Sequence, residues 1–289
     1  MSKIILGTVQ FGLDYGVANN IGQVDKKEVK KILTFAEQNG INTLDTAIAY
    51  GDSERCLGHA GIEGWNVITK LPEISVNNLD VDFWVNNHIN NSLIRLKVLS
   101  VSGVLLHRPL QLLESYGAQL WGALEKLKDK GIIKKIGFSV YSPDDLDKLW
   151  KSGFIPDIVQ APYNIFDQRI KSSGWLEKLN YNKVEVHTRS VFLQGLLLMP
   201  AENRPKYFTK WQHIFDNWDL WLENNNISGL NAALNFALSE NLIHKTIVGV
   251  ESPSQLGEVI SVIKKCNLDV PRTLSSSDDM LINPSLWSI

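Results

Sequence analysis

Short apolar runs alternate with longer amphipathic stretches along the whole of this chain. The stretch from Lys26 to Asn39 carries four apolar residues at helical spacing and is followed by Gly40, which is the pattern of a helix that buries one face. Runs such as Ser102–His107 are shorter and have the apolar character of buried strands. The alternation predicts successive strand–helix units and therefore a parallel sheet.

The apolar runs give eight predicted strands. They are Ile4–Leu6, Thr43–Asp45, Asn66–Lys70, Ser102–His107, Lys135–Ser139, Ile158–Ala161, Glu185–Ser190 and Thr246–Val250. The predicted helices are Lys26–Asn39, a segment from Ser53, Val81–Leu96, Leu112–Lys130, a segment from Pro143, and Pro253–Lys265. Ser53 is a candidate N-cap, and Pro143 suits the first helical position. Eight strands alternating with helices give the count of a (β/α)8 or TIM barrel.

Nothing in the sequence divides the chain into separate domains. It has no internal repeat, low-complexity tract or linker, so we expect one barrel domain over residues 1–289. Two segments exceed the minimal unit, one at about 199–226 and a C-terminal tail at 266–289 that contains Trp287. The first is rich in aromatic residues such as Trp218 at helical spacing, which predicts an amphipathic helix packed on the barrel.

Composition and charge narrow the class of protein. The formal net charge of −2 gives no electrostatic reason to bind nucleic acid or an anionic membrane. Cys56 and Cys266 are too few and too far apart to suggest a disulfide framework or a zinc site, which favours a reducing compartment. The first residues lack the apolar region of a signal peptide, and no apolar run approaches a membrane span. We therefore expect a cytoplasmic protein without a metal site.

Four titratable residues lie at the ends of three successive predicted strands. Asp45 ends the second strand, Tyr50 lies in the loop after it, Lys70 ends the third strand and His107 ends the fourth. Each residue alone has an ordinary structural explanation, such as a helix cap or a solvated strand end. In a parallel sheet, however, these strand ends share one rim, where α/β proteins keep their chemistry. Their joint placement predicts an active site.

The four side chains together suit the protonation of a carbonyl oxygen. A phenol titrates near pH 10 in water, and we expect Lys70 to lower the pKa of Tyr50 while Asp45 keeps Lys70 charged and oriented. Tyr50 is thus the predicted general acid. A neutral His107 would hydrogen-bond the same oxygen and fix its direction. Negative charge that develops on this oxygen calls for a hydride donor bound opposite.

These residues resemble the signature of the aldo-keto reductase family. The run Asp45–Glu54 is similar to the family's specific motif, and Leu105–Pro109 is similar to its histidine strand. The likeness extends from Leu6 to about Lys265. It implies an eight-stranded barrel that reduces aldehydes or ketones with NADPH and uses the four residues above as its catalytic tetrad.

The same resemblance implies which residues bind the cofactor. They are Gly7, Thr8, Ser139, Gln160, Arg189, Ser190, Gly249, Glu251, Gln255 and Glu258. Two positions depart from the family pattern near the nicotinamide. Val140 replaces the usual asparagine, and Arg189 replaces an aromatic ring that stacks on the nicotinamide in many members. A guanidinium can also stack, or it can meet an anion, and we expect an anionic partner for Arg189 because a buried cation needs one.

The adenosine end departs from the family pattern as well. Many NADPH-using members place basic residues at the positions of Gly249 and Gln255, whereas this chain has Glu251 between them. An acidic neighbour repels the 2′-phosphate that distinguishes NADPH from NADH. The resemblance favours NADPH as the donor, and the local residues make NADH its rival.

Two other functions stay open from the sequence. The tyrosine–lysine pair could serve a sugar lyase or epimerase that retains its cofactor. A non-enzymatic nucleotide-sensing subunit is the second alternative, which the presence of all four tetrad residues disfavours. For the oxidoreductase, the expected partner is a small-molecule carbonyl substrate. It is a simple aldehyde or a sugar derivative, and Arg189 with the tryptophan-rich segment favours the latter.

Overall fold

Eight parallel strands close into a barrel in a computed structural model that describes residues 2–19, 21–75, 80–263 and 270–288. Neighbours follow chain order, and the last strand pairs with the first. The strands are β1 Ile4–Gly7, β2 Thr43–Asp45, β3 Asn66–Leu71, β4 Gly103–Leu106, β5 Ile136–Ser139, β6 Ile158–Pro162, β7 Glu185–Arg189 and β8 Lys245–Gly249. The predicted TIM barrel is confirmed, and each predicted strand end lies within about one residue of the observed one.

Helices surround the barrel within the described ranges. They are α1 Lys26–Gln38, α2 Ser53–Ala60, α3 Val81–Leu96, α4 Gly117–Asp129, α5 Pro143–Lys151, α6 Arg169–Ser172, α7 Trp175–Tyr181, α8 Gln212–Asn224, α9 Gly229–Ser239, α10 Pro253–Ser261 and α11 Asp279–Ile282. Pro143 occupies the first turn of α5, as its sequence predicts. None of the described helices is long and apolar enough to cross a membrane.

Two details of the predicted helices are wrong, and a third lies partly outside the described residues. The helix predicted over Leu112–Lys130 is two pieces, a 3-10 turn at Pro109–Leu113 and then α4. The chain turns sharply between them. The turn requires glycine at position 117, since a Cβ there would lie 1.8 Å from the carbonyl oxygen of Leu112. The N-cap of α2 is Asp52 and not Ser53, whose hydroxyl turns inward. Helix α10 ends at Ser261, and the predicted end at Lys265 lies outside the described residues.

The barrel interior has an apolar layer below a polar one. Ile5, Ile68, Leu105 and Ile158 form a cluster of their own, separate from the larger core between strands and helices. Side chains two residues apart on a strand point to the same side. Residues two positions further along these strands, towards their carboxyl ends, therefore enter the barrel above this apolar layer, at the mouth.

The segment at 199–226 and the tail pack against each other beside the barrel. Helix α8 buries Trp218, which stacks on Trp221 and meets Phe166 edge to face. In the tail, the ring of Trp287 packs edge to face on buried Phe208, with ring centroids 4.9 Å apart. Trp287 therefore contributes to packing between the tail and this segment.

Candidate active site

The four predicted tetrad residues lie together at the mouth of the barrel, with Lys70 at the centre. Its Nζ donates to Asp45 Oδ2 at 2.6 Å, to the carbonyl oxygen of Thr46 at 3.0 Å and to Tyr50 Oη at 3.4 Å. The His107 ring meets the Tyr50 ring edge to face, with centroids 5.8 Å apart. The structure thus gives one continuous arrangement from a buried carboxylate to a half-buried phenol and imidazole.

A tight turn after β2 brings Tyr50 back over the barrel. The amide of Ile48 donates to the carbonyl oxygen of Lys70 at 3.1 Å, and the amide of Tyr50 donates to Ala47 at 3.0 Å. On the other side of the turn, a Cβ on Gly12 would lie 1.9 Å from the carbonyl oxygen of Tyr50. Only glycine permits this close approach, so the loop after β1 fixes the position of the Tyr50 turn.

Glu54 anchors the helix that begins just after Tyr50. Its carboxylate is buried and accepts from Thr69 Oγ1 at 2.7 Å, Ser92 Oγ at 2.5 Å and Arg95 Nε at 2.7 Å. Thr69 precedes Lys70 on β3, so this network holds the phenol and the ammonium in register. Sequence reasoning assigned Glu54 no role, because its partners lie on distant elements.

Asp45 and Lys70 form a closed, buried ion pair. Their side chains are 6% and 1% exposed. Gln160 Nε2 donates to the second carboxylate oxygen of Asp45 at 2.7 Å, so both oxygens have a partner. Burial lowers the pKa of Lys70, and the charge and hydrogen bond of Asp45 counteract part of that shift. The pair holds charge inside the barrel only because its members satisfy each other.

The pKa of Tyr50 moves opposite to our expectation. Burial raises it first and the negative charge of Asp45 second, while the nearby guanidinium of Arg189 opposes the rise. We expected Lys70 to lower this pKa, but desolvation of the phenolate outweighs the attraction of a lysine whose charge Asp45 already balances. Tyr50 is consequently a protonated phenol at neutral pH, which is the form that an acid requires.

His107 is neutral at neutral pH, as the sequence analysis assumed. Burial lowers its pKa to about 3, assisted by the positive charges of Lys70, Arg189 and Arg108. Its backbone amide donates to Leu71 at 3.0 Å, which ties the residue to the end of β3. A neutral imidazole beside a phenol can share a hydrogen bond to one ligand oxygen without adding charge.

Most of the residues expected at the nicotinamide lie at or near the carboxyl ends of their strands. Ser139 and Gln160 end up buried at the mouth, and Gly7 pairs with Gly249 where β1 meets β8. The hydroxyl of Thr8 donates to the carbonyl oxygen of Asp45 at 2.9 Å and lies fully buried. It therefore joins strands β1 and β2.

Two buried oxygens at the mouth have no hydrogen-bond partner among the described residues. They are Oε1 of Gln160 and Oε1 of Gln10, and a Cβ on Gly249 would lie 2.8 Å from the latter. Buried acceptors normally have a partner, and an amide N–H₂ group such as that of nicotinamide is a suitable donor. The residues present thus fit a nicotinamide dinucleotide. Sequence reasoning missed Gln10, which lies in the loop after β1.

The loop after β7 has an unusual backbone. Ser190, Leu193 and Gln194 have φ values of 60°, 48° and 56°, and Gly195 follows at 89°. The carbonyl oxygen of Ser190 accepts from Asn164 Nδ2 at 2.9 Å, which holds the loop to the segment after β6. Left-handed non-glycine residues cost energy and cluster at ligand-binding loops.

At the expected adenosine end, Glu251 and Gln255 bind each other. Gln255 Oε1 accepts from the amide of Glu251 at 2.7 Å, and its Nε2 donates to Glu251 Oε2 at 3.3 Å. Glu258 lies exposed on α10. Four lysines of α1, which sequence reasoning did not assign, line a surface groove bordered by Pro253 at the start of α10: Lys26, Lys27, Lys30 and Lys31.

The anion expected beside Arg189 is not a carboxylate of the described residues, so it would have to belong to a ligand. Arg189 Nη2 donates to the carbonyl oxygen of Val140 at 3.0 Å, and its guanidinium lies 4.4 Å from the ring centroid of Tyr141. Within the described ranges, no carboxylate forms a salt bridge with it. Because Arg189 is only half-buried, water, a carbonyl and a ring can carry its charge.

Comparisons with known proteins agree with this architecture. A model of the aldo/keto reductase family matches residues 3–271. Aldo-keto reductase AKR11C1 from Bacillus halodurans, in its holo form, is 20% identical over 92% of this chain and 88% of its own, with a TM-score of 0.72. The glycerol dehydrogenase AKR11B4 from Gluconobacter oxydans is 22% identical over 93% and 88%, with a TM-score of 0.70. These identities show a shared fold alone, and no curated protein matches the chain.

The family match covers the whole barrel, from before β1 to beyond α10. At the mouth of that barrel lie Asp45, Tyr50, Lys70 and His107 in the contacts described above. This chain therefore belongs to the aldo/keto reductase family, and it is an oxidoreductase.

Proposed function

We propose that this protein reduces an aldehyde or ketone to an alcohol with a reduced nicotinamide dinucleotide, and that Tyr50 donates the proton. The arrangement of Lys70 carries this proposal. One ammonium contacts a buried carboxylate at 2.6 Å and the Tyr50 hydroxyl at 3.4 Å. A phenol that is protonated at neutral pH and has a cation within reach is suited to release its proton only when an oxyanion forms beside it.

Each residue of the tetrad has a separate role in the proposed reduction. A bound reduced nicotinamide supplies the hydride. Tyr50 donates a hydrogen bond to the substrate oxygen and transfers its proton as negative charge develops there. Lys70 stabilises the resulting phenolate, and Asp45 with Gln160 holds Lys70 in place. His107, neutral, donates its ring N–H to the same oxygen and orients it.

The residues that would hold the cofactor come from the strand ends of the barrel and from α10. Ser139 and Gln160 suit the nicotinamide amide, because Gln160 Oε1 is an unpartnered acceptor. Ser190 and the loop that follows suit the pyrophosphate, and the start of α10 with Glu258 suits the adenosine. We infer that NADPH is the donor and that NADH is accepted within about tenfold, since Glu251 offers no cation to the 2′-phosphate.

The direction of the reaction and the rival functions can be separated by stoichiometry. The similar structure from Gluconobacter oxydans is named a glycerol dehydrogenase, so alcohol oxidation with NADP⁺ deserves a parallel assay. A reductase consumes one NADPH per alcohol formed. A lyase or epimerase that retains its cofactor consumes none, and a sensing subunit binds nucleotide without turnover.

Replacing Tyr50 tests the proposal most directly. Tyr50→Phe should reduce kcat by about 10² to 10⁴, the usual effect of losing a general acid, while NADPH binding followed by tryptophan fluorescence stays close to wild type. Tyr181→Phe removes the same hydroxyl from a residue that is 88% exposed elsewhere, and it should leave both quantities unchanged. Near-normal turnover by Tyr50→Phe would falsify the assignment of the acid.

A further inference from the structure

Two arginines share one aromatic ring at the rim of the active site. The guanidinium carbon of Arg189, at the end of β7, lies 4.4 Å from the centroid of the Tyr141 ring. That of Arg108, in the loop after β4, lies 5.1 Å from the same centroid. A guanidinium that lies over a ring can still donate hydrogen bonds from its N–H groups. Arg189 uses two of its five, to the carbonyl oxygen of Val140 at 3.0 Å and to Ser190 Oγ at 3.4 Å, and the other three remain for a ligand.

The structure fixes the ring that holds these arginines. The amide of Tyr141 donates to Asp145 Oδ2 at 2.9 Å, and its carbonyl oxygen accepts from Arg169 Nη2 at 3.1 Å. Arg169 is itself bound by buried Asp167 at 2.8 Å and by Asp279 of the tail at 2.6 Å. Tyr141 is thus held at both sides of its backbone, and the site is formed before any ligand arrives.

No carboxylate of the described residues balances the charge of the two arginines beside this ring. Four of the five other arginines have a carboxylate within salt-bridge distance, namely Arg55, Arg95, Arg169 and Arg204, and Arg272 is the exception among the described residues. Among the described residues, neither Arg108 nor Arg189 has one. Arg108 is also exposed. The two neighbouring cations repel each other, and an anion bound between them would remove that repulsion.

The arginine pair lies close to His107 and Tyr50, the residues that would act on the carbonyl oxygen. Arg108 follows His107 in the chain, and the charges of both arginines help to lower the pKa of that imidazole. Arg189 also opposes the rise in the pKa of Tyr50. An anion bound by the pair would therefore lie close to the oxygen that Tyr50 protonates.

We propose that Arg108 and Arg189, held on Tyr141, bind a carboxylate or phosphate group carried by the carbonyl substrate. This inference rests on the proposed reductase function and names its substrate class as anionic aldehydes or ketones. The guanidinium fork matches both kinds of anion. Tyr50 and His107 bind the carbonyl at one end of the substrate, and the arginines bind its charged end.

Matched substrate pairs test the proposal. Initial rates are measured at saturating NADPH with 4-oxobutanoate against butanal, and with glyceraldehyde 3-phosphate against glyceraldehyde. The wild type should prefer the anionic member of at least one pair, and which pair shows the preference distinguishes carboxylate from phosphate. Arg108→Met should lower the ratio of kcat/KM for the anionic over the neutral member about tenfold to a hundredfold, mainly through KM. Arg108→Lys should recover part of it.

A control and a binding measurement complete the test. Arg55→Met removes an exposed guanidinium that already has Asp52 as its partner, and it should leave the ratio unchanged. Calorimetric titration of the wild-type protein with succinate and with inorganic phosphate measures anion binding without turnover, and Arg108→Met should abolish it.

The outcomes separate this proposal from the reductase function. Equal losses for anionic and neutral substrates in Arg108→Met and Arg189→Met would overturn the anion site while leaving the reductase intact. Weakened NADPH binding with unchanged substrate ratios would assign both arginines to the nucleotide instead, which also overturns it. If no aldehyde is reduced at all, the reductase proposal fails, and the calorimetric result still decides whether the arginines bind an anion.

Discussion

Two pairs of charged residues flank Tyr50, and they differ in how their charge is balanced. Asp45 and Lys70 lie inside the barrel, carry opposite charges and satisfy each other at 2.6 Å. Arg108 and Arg189 lie at the rim, carry the same charge and share only the ring of Tyr141. The contrast shows where a charge can remain available to a ligand. Inside the barrel it must be paired, whereas at the rim water can solvate it until a ligand replaces that water.

Breaking the inner pair should have the largest effect. Lys70→Met leaves the Asp45 carboxylate buried without its cation, so the free energy of unfolding should fall by about 3 to 5 kcal/mol. The double variant Asp45→Asn with Lys70→Met removes both charges and should recover part of that loss. Arg108→Met, at the rim, should change the free energy by no more than about 0.5 kcal/mol. Denaturant titration followed by fluorescence measures all three.

The comparison fails if these variants behave alike. A Lys70→Met protein as stable as Arg108→Met, or a double variant no more stable than Lys70→Met alone, would show that burial does not decide how this protein balances charge. Each variant also needs the Tyr50 assay, because Lys70→Met should lose turnover even where it remains folded.

Glu251, at the expected adenosine end, is another charge at the rim and extends the comparison to the choice of cofactor. Glu251 has no cation partner among the described residues and is held by Gln255 alone. It should therefore affect the choice of ligand more than stability. Glu251→Arg should shift the ratio of kcat/KM for NADPH over NADH by about tenfold, or 1.4 kcal/mol, towards NADPH, with the unfolding midpoint nearly constant.

The starting preference is informative as well. A wild-type preference for NADPH above a thousandfold would mean that a cation elsewhere reaches the 2′-phosphate. Lys26 and Lys27 then become the residues to replace, because they line the groove that Pro253 borders. Lys126→Ala is the matched control, since Lys126 lies on α4, away from this groove, and is likewise paired with a carboxylate, that of Asp82.

A further prediction concerns the pH dependence of stability. The folded-state pKa of His107 is about 3, below the ordinary value near 6.5, so the folded protein binds fewer protons than the unfolded chain between these values. The contribution of His107 to stability is complete above pH 6.5 and is lost as the pH falls towards 3. His107→Asn should therefore lose less stability than the wild type between pH 6.5 and 4.5, as thermal unfolding at several pH values would show.

The two rim arginines also affect the pKa of His107, and this effect can be tested. Because both help to lower the pKa of His107, Arg108→Met should raise it, which can be followed by NMR titration of the imidazole. An unchanged titration would place Arg108 too far from His107 for the substrate site proposed above.

Regular patterns made most of the fold and the tetrad predictable. The strands follow from short apolar runs, and the ends of parallel strands must share a rim, so Asp45, Lys70 and His107 could be placed together from spacing and the barrel count. The break before Gly117 was not predictable, because it depends on contact with the backbone of Leu112. The predicted N-cap of α2 was wrong for a similar reason. The hydroxyl of Ser53 forms hydrogen bonds with Thr8 and Thr46 and none with the first turn of the helix.

Energetic balances and loop contacts account for the remaining differences. The direction of the Tyr50 pKa shift depends on whether desolvation of the phenolate outweighs the effect of nearby charges. The extent of burial cannot be read from the sequence. The cluster of Arg108, Tyr141 and Arg189 joins three loops that are separated by tens of residues along the chain. Loop conformation decides such contacts, and periodicity carries no information about it.

The closure of the barrel also determines when the active site can exist during synthesis. Strand β1 needs β8 on its second edge, where Ile4 pairs with Thr246 and Gly7 with Gly249. A growing chain that has not yet reached Lys245 leaves β1 with an open edge, and such contacts between distant parts of a sequence form slowly. The mouth that joins Gly7 to Gly249 is therefore completed only after β8 has been made, and until then the unpaired edges are open to association with other chains.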